Sequence, residues 1–148
     1  MFARYTKTAR RVIFSARDFA TAAGSPCIDT DHLLIGLLQE DPGLLTRCIS
    51  TAGAEEFRLK VGALASKEPR EDPAQADLPL SPDSKYVLMY AGNEAKERGD
   101  PYIGSEHLLL ELLLQESGLA EIALGEFGVT IAEVRKRLED PPQHPEMT

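Results

Sequence analysis

The chain matches itself at an offset of 75 residues without a gap. Val12 pairs with Val87, Ala16 with Ala91, Ala20 with Ala95, Gly24 with Gly99, Pro26 with Pro101 and Ile28 with Ile103. His32 pairs with His107, and Leu33, Leu34, Leu37 and Leu38 pair with Leu108, Leu109, Leu112 and Leu113. Gly43, Leu44 and Gly53 pair with Gly118, Leu119 and Gly128. A solenoid needs about three or more repeats to bury a continuous core. Two copies instead predict a duplicated unit with a pseudo-two-fold axis.

Both copies read as helices. From Thr6 to Ala23 the apolar positions Ala9, Val12, Ile13, Ala16 and Ala20 fall on one helical face, and Gly24 supplies a stop. The matching helix opens with Ser81-Pro82-Asp83, a hydroxyl cap, a first-position proline and a first-turn acid, and ends at Gly99. Thr30 and Ser105 are predicted as N-caps of the leucine-rich helices that follow. A third helix is expected after Gly43 and Gly118. A fourth is expected after Gly53 and Gly128, with a capping box at Thr130-Ile131-Ala132-Glu133. The expected fold is all-α, with two tandem four-helix repeats, eight helices in all. The predicted core is Val12, Ala16, Leu33, Leu37, Val87, Ala91, Leu108 and Leu112.

This divides the chain into a first repeat at 1–65, a polar linker at 66–80, a second repeat at 81–140 and a disordered tail at 141–148. The linker, SKEPREDPAQADLPL, is rich in proline and charge, and the tail contains PPQHPEMT. No apolar run approaches the roughly 20 residues of a membrane span. The basic start is followed by no apolar segment of signal-peptide type, so a cytoplasmic location is expected. From Ser81 onward acids outnumber bases 13 to 6, which argues against a nucleic-acid surface. Cys27 and Cys48 lie at non-equivalent positions of the repeat and read as small thiols in a reducing compartment.

The repeat spells an acid and a histidine twice, in CIDTDHLLIGLL and YIGSEHLLLELL. With Thr30 and Ser105 as caps, Asp31 and Glu106 are the first helical residues, facing the positive end of the helix dipole. His32 and His107 are expected to bond a backbone group through one ring nitrogen. His107 and Glu111 have ligand spacing, but the counterpart of Glu111 is Gly36, so no repeated metal site follows. The sequence contains no phosphate-binding G-x-x-x-x-G-K-[ST], dinucleotide G-x-G-x-x-G, zinc H-E-x-x-H or nucleophile G-x-S-x-G motif. No enzyme and no cofactor are therefore expected. Binding remains. Thr6 and Ser81 stand at helix starts, whose free amides hold anions, while Asp31 and Glu106 offer carboxylates to a guanidinium.

The segments MFARYTKTARRVIFSAR, IDTDHLLIGLL and YIGSEHLLLELL, at this spacing around a polar linker, resemble the Clp N-terminal domain. This is the double repeat that precedes the ATPase modules of Clp/Hsp100 unfoldases, and the likeness is strongest to the ClpC type. The resemblance implies a non-catalytic domain that docks adaptors and substrates, including proteins carrying phosphoarginine, for a Clp ATPase ring and protease. It implies two phosphoarginine sites, with Glu106 and Asp31 taking the guanidinium and Thr6 and Ser81 taking the phosphate. It also implies an apolar docking surface at Phe2, Tyr5 and Leu80. Three departures stand out: Asp29-Thr30-Asp31-His32 replaces the family's G-T-E-H, Ser81 replaces threonine, and Glu111 replaces a frequent glycine. On this basis the tighter site is expected at Glu106 together with Ser81. A monomer is expected in isolation. The other readings are a free-standing accessory subunit of the Clp protease or ATPase ring and, remotely, a small metal-dependent enzyme.

Overall fold

The two long helices begin at hydroxyl caps and end at glycines. A computed structural model of the chain describes residues 4–48, 53, 55–59, 78–115, 125 and 131–137. Helix α1 spans Lys7–Ala22 and helix α4 spans Pro82–Glu97. Their N-caps are Thr6 and Ser81, whose hydroxyls accept from the amides of Ala9 and Ser84, each at 3.0 Å. Both helices run out into a glycine in the left-handed region, Gly24 at φ 68° and Gly99 at φ 75°. Most L-residues avoid that conformation, so these two glycines terminate the helices.

Helix α2 spans Thr30–Glu40 and helix α5 spans Ser105–Leu114. Here the expected boundaries shift by one residue. The N-caps are Asp29 and Gly104, with Thr30 and Ser105 as the first helical residues. The Asp29 carboxylate takes the cap by accepting the Thr30 amide at 2.8 Å. Helix α3 spans Pro42–Cys48 and helix α6 spans Ile131–Arg137, while residues 55–59 are also helical. Gly43 lies inside α3 rather than ahead of it. Among the described residues the structure is all-α, with no strand. The helix expected after Gly118, the cap at Thr130 and the tail at 141–148 lie outside the described residues.

The two copies share one core. Each predicted core residue is buried, from 0% exposure at Val12, Ala16, Leu37, Val87 and Ala91 to 3% at Leu112. The cluster continues from Tyr5 through Phe57 to Val134 without a break. Helix α1 packs on α2, and α4 packs on α5. Between the copies, α2 meets α4 and α5, α1 meets α5, and α3 meets α6.

Two isolated parallel bridges stitch the copies together, Tyr5 to Ile103 and Ile28 to Leu80. These are the same contact seen twice, because Tyr5 corresponds to Leu80 and Ile28 to Ile103. Leu78 and Leu80 pack against the core, so the end of the segment read as a solvated linker is anchored.

Candidate functional site

The segment entering each long helix is held by the opposite copy. Ahead of α1, the Thr6 amide donates to the Ile103 carbonyl at 3.0 Å, and the Ile103 amide donates to the Arg4 carbonyl at 2.9 Å. Ahead of α4, the Ser81 amide donates to the Ile28 carbonyl at 3.0 Å, and the Ile28 amide donates to the Pro79 carbonyl at 2.8 Å. The structure therefore places Thr6 against the chain that enters α5 and carries Glu106. It places Ser81 against the chain that enters α2 and carries Asp29 and Asp31. These bonds hold Thr6, and not Ser81, against the chain that leads to Glu106. The reason is that each helix start pairs across the copies rather than within its own.

The first-turn acids occupy the second helical position, one later than expected, and their environments differ. Glu106 is 4% exposed, and one of its carboxylate oxygens lies 3.3 Å from His107 Nδ1. Asp31 is half-buried. Thr6 is fully buried and Ser81 nearly so. Beside α5, Ser105 donates to the Asp41 carboxylate, a further tie between the copies.

The repeated histidines are structural. The Asp29 amide donates to His32 Nδ1 at 2.9 Å, and the Gly104 amide donates to His107 Nδ1 at 2.9 Å. Each imidazole thus fills the third-position role that Glu or Gln plays in a capping box. With Nδ1 accepting, the proton of His107 sits on Nε2 and donates to Asp100 at 2.7 Å, and Arg98 lies 3.4 Å from the same carboxylate. Glu111 has a different environment. Burial and the neighbouring Glu94 push its pKa up, opposed by Arg135, which pairs with Glu94 at 2.6 Å. Among the described residues no group of three or more His, Cys, Asp or Glu could hold a metal.

The apolar docking surface changes character. Tyr5 is 6% exposed, and its hydroxyl donates to the Leu88 carbonyl at 2.8 Å. Burial raises its pKa, against the charge of Arg4. Tyr5 is thus a core residue that links the copies, not a surface one. Leu80 is partly buried against the same core, and Phe2 lies outside the described residues. Exposed apolar side chains include Phe14 on α1 at 62% and Leu59 at 69%, and three lie together on α4, where Tyr86, Met89 and Tyr90 are 52%, 56% and 36% exposed. The rings of Tyr86 and Tyr90 sit 4.6 Å apart. Their spacing of three and four residues was a readable second stripe on that helix.

Comparison with known proteins agrees with this architecture. A family model, the Clp repeat (R) N-terminal domain, matches residues 4–113 and again 84–146. The negative regulator of genetic competence ClpC/MecB of Bacillus subtilis (strain 168) is 29% identical over 140 residues, covering 93% of this chain and 17% of that protein. The chloroplastic chaperone protein ClpC of Pisum sativum is 31% identical over 140 residues, covering 93% of this chain and 15% of that protein. The chain thus spans about a sixth of the length of these relatives. Among solved structures, the N-terminal domain of the caseinolytic protease associated chaperone ClpD from Arabidopsis thaliana superimposes with a TM-score of 0.70 at 26% identity. That match covers 94% of this chain and 97% of the other. The Hsp104 N-terminal domain from Candida albicans shares the fold, with a TM-score of 0.75 at 21% identity over 90% of this chain and 87% of that one. No described helix is long and apolar enough to cross a membrane.

Proposed function

The chain belongs to the Clp repeat N-terminal domain family, and from that premise we propose that it is a non-catalytic docking domain that receives proteins for a Clp ATPase. We further propose that the region joining the start of α1 at Thr6 to the start of α5 at Glu106 takes a phosphoarginine side chain on such proteins. The observation that carries this reading is the crossed construction. A hydroxyl-capped helix start from one copy is bonded to the segment that leads to the first-turn acid of the other, Thr6 to Ile103, three residues before Glu106. The positive end of a helix suits a phosphate, and a carboxylate accepts a guanidinium fork.

Calorimetric titration with free phosphoarginine tests the proposal. A charge-assisted hydrogen bond contributes about 1.5–3 kcal/mol, so Glu106→Ala is expected to weaken binding about tenfold or more. Binding by Glu106→Ala equal to that of the parent sinks the phosphoarginine reading. The broader docking role is read separately, by pull-down of a Clp ATPase lacking its own N-terminal domain or of an adaptor protein.

A further inference from the structure

The two helix starts at Thr6 and Ser81 are related by the repeat, yet the second already holds an anion of its own, the Asp29 carboxylate. We propose that Asp29 closes the Ser81 helix start to phosphate-bearing ligands and leaves the Thr6 helix start able to take them. The inference rests on the docking reading above and names the residue that makes its two pseudo-equivalent positions unequal.

The geometry is direct. Ser81 donates its hydroxyl to Asp29 Oδ1 at 3.1 Å, and the Thr30 amide donates to the same oxygen at 2.8 Å. The carboxylate therefore sits on the hydroxyl that caps α4, where a ligand phosphate would have to sit. Two anions on one hydroxyl repel each other, and the half-buried setting weakens solvent screening. At the other helix start the residue equivalent to Asp29 is Gly104, which has no side chain to offer.

The surroundings reinforce the difference. The start of α1 is flanked by Arg4 and Lys7, both exposed. Their counterparts at the start of α4 are Pro79 and Pro82, and the first turn there adds Asp83. One helix start thus has exposed cations beside it, and the other has prolines and carboxylates. Ser84, buried in the first turn of α4, has a hydroxyl with no hydrogen-bond partner among the described residues. Its counterpart is Ala9. The α4 start thus retains a polar group that an anion could use once the Asp29 carboxylate is gone.

The test is the number of binding sites. Asp29→Gly copies the residue of the other repeat, and glycine is tolerated at an N-cap, so the variant is expected to fold. Asp29→Asn, which keeps the cap and removes the charge, serves as the second variant. Free phosphoarginine is titrated into parent and variants by calorimetry, with amide shifts in NMR assigning the helix start. The parent is expected to bind one equivalent, at Thr6. Asp29→Gly is expected to bind two, and adding Ser81→Ala removes the gained site. A parent that binds at both helix starts, or an Asp29→Gly variant that still binds once, overturns the role of Asp29 while the docking reading stands. Binding by the variant alone, at Ser81, upholds the role of Asp29 and overturns the Thr6 reading. Absence of binding in parent and both variants overturns both.

Discussion

The two halves carry the same helices but pack them differently. In the first, α2 is pressed against α1 at Gly36. A Cβ there would stand 2.6 Å from the Val12 carbonyl oxygen and 3.1 Å from the Ala16 amide nitrogen, both backbone atoms that cannot swing aside. In the second, the same position is Glu111, a long side chain buried to 7% exposure. The helix pairs follow suit, with α1 and α2 in closer contact along their length than α4 and α5. Around Glu111 the second half has two buried acids, Glu94 and Glu111, with the exposed Arg135 paired to Glu94. Phe19 and Gly36 stand at the positions of the two acids in the first half. A duplicated fold thus tolerates two interface solutions: one dry and steric, the other wider and charged.

The largest expected effect asks whether the halves are energetically separate at all. Leu37→Ala and Leu112→Ala each empty an equivalent place in the shared core and are expected to cost about 2–5 kcal/mol. Because the core is continuous, both variants should still unfold in one cooperative transition in urea. Two resolved transitions would show that the halves fold independently. A loss below about 1 kcal/mol in both variants would mean that these leucines do not anchor the core.

Next comes the exchange of the interface residue. Gly36→Ala forces a methyl group into backbone and is expected to cost about 1–3 kcal/mol, the usual range for overpacking. The measurement is again the urea midpoint at constant slope. Neutral behaviour of Gly36→Ala would mean that the α1–α2 approach relaxes freely and that the contrast between the halves is not steric.

The smallest expected effect is electrostatic. Burial and Glu94 raise the Glu111 pKa above its ordinary 4.5. A carboxyl whose folded pKa is raised binds more protons folded than unfolded between the two values. Its contribution to stability is therefore lost as pH rises through the folded pKa and regained as pH falls toward 4.5. Glu111→Gln is expected to raise the thermal midpoint at neutral pH, with the gain over the parent shrinking on acidification. A gain that is independent of pH would assign the effect to packing instead of charge.

How much of this was legible beforehand depends on the range of the force involved. The duplication, the all-α class, the eight core positions, the hydroxyl caps at Thr6 and Ser81 and the glycine stops are all written in the sequence. Each follows from interactions within about one or two helical turns, which leave a period of three to four residues or a capping residue behind. The role of His32 and His107 is also local, and the expected bond from a ring nitrogen to backbone is present at both. His32 lies one residue further into its helix than expected because Asp29 takes the cap ahead of Thr30, and His107 does so because α5 starts at Ser105 behind Gly104.

The crossed pairing of the copies is another matter. Thr6 bonded to Ile103 and Ser81 bonded to Ile28 leave the same pattern in the chain as the uncrossed alternative would. A repeat is unchanged when its copies exchange partners, so no periodicity can distinguish the two arrangements. The burial of Tyr5, the company of Glu106 and the carboxylate of Asp29 on Ser81 all follow from that crossing. Those contacts join residues at least 52 positions apart, and the packing of the assembled core chooses them.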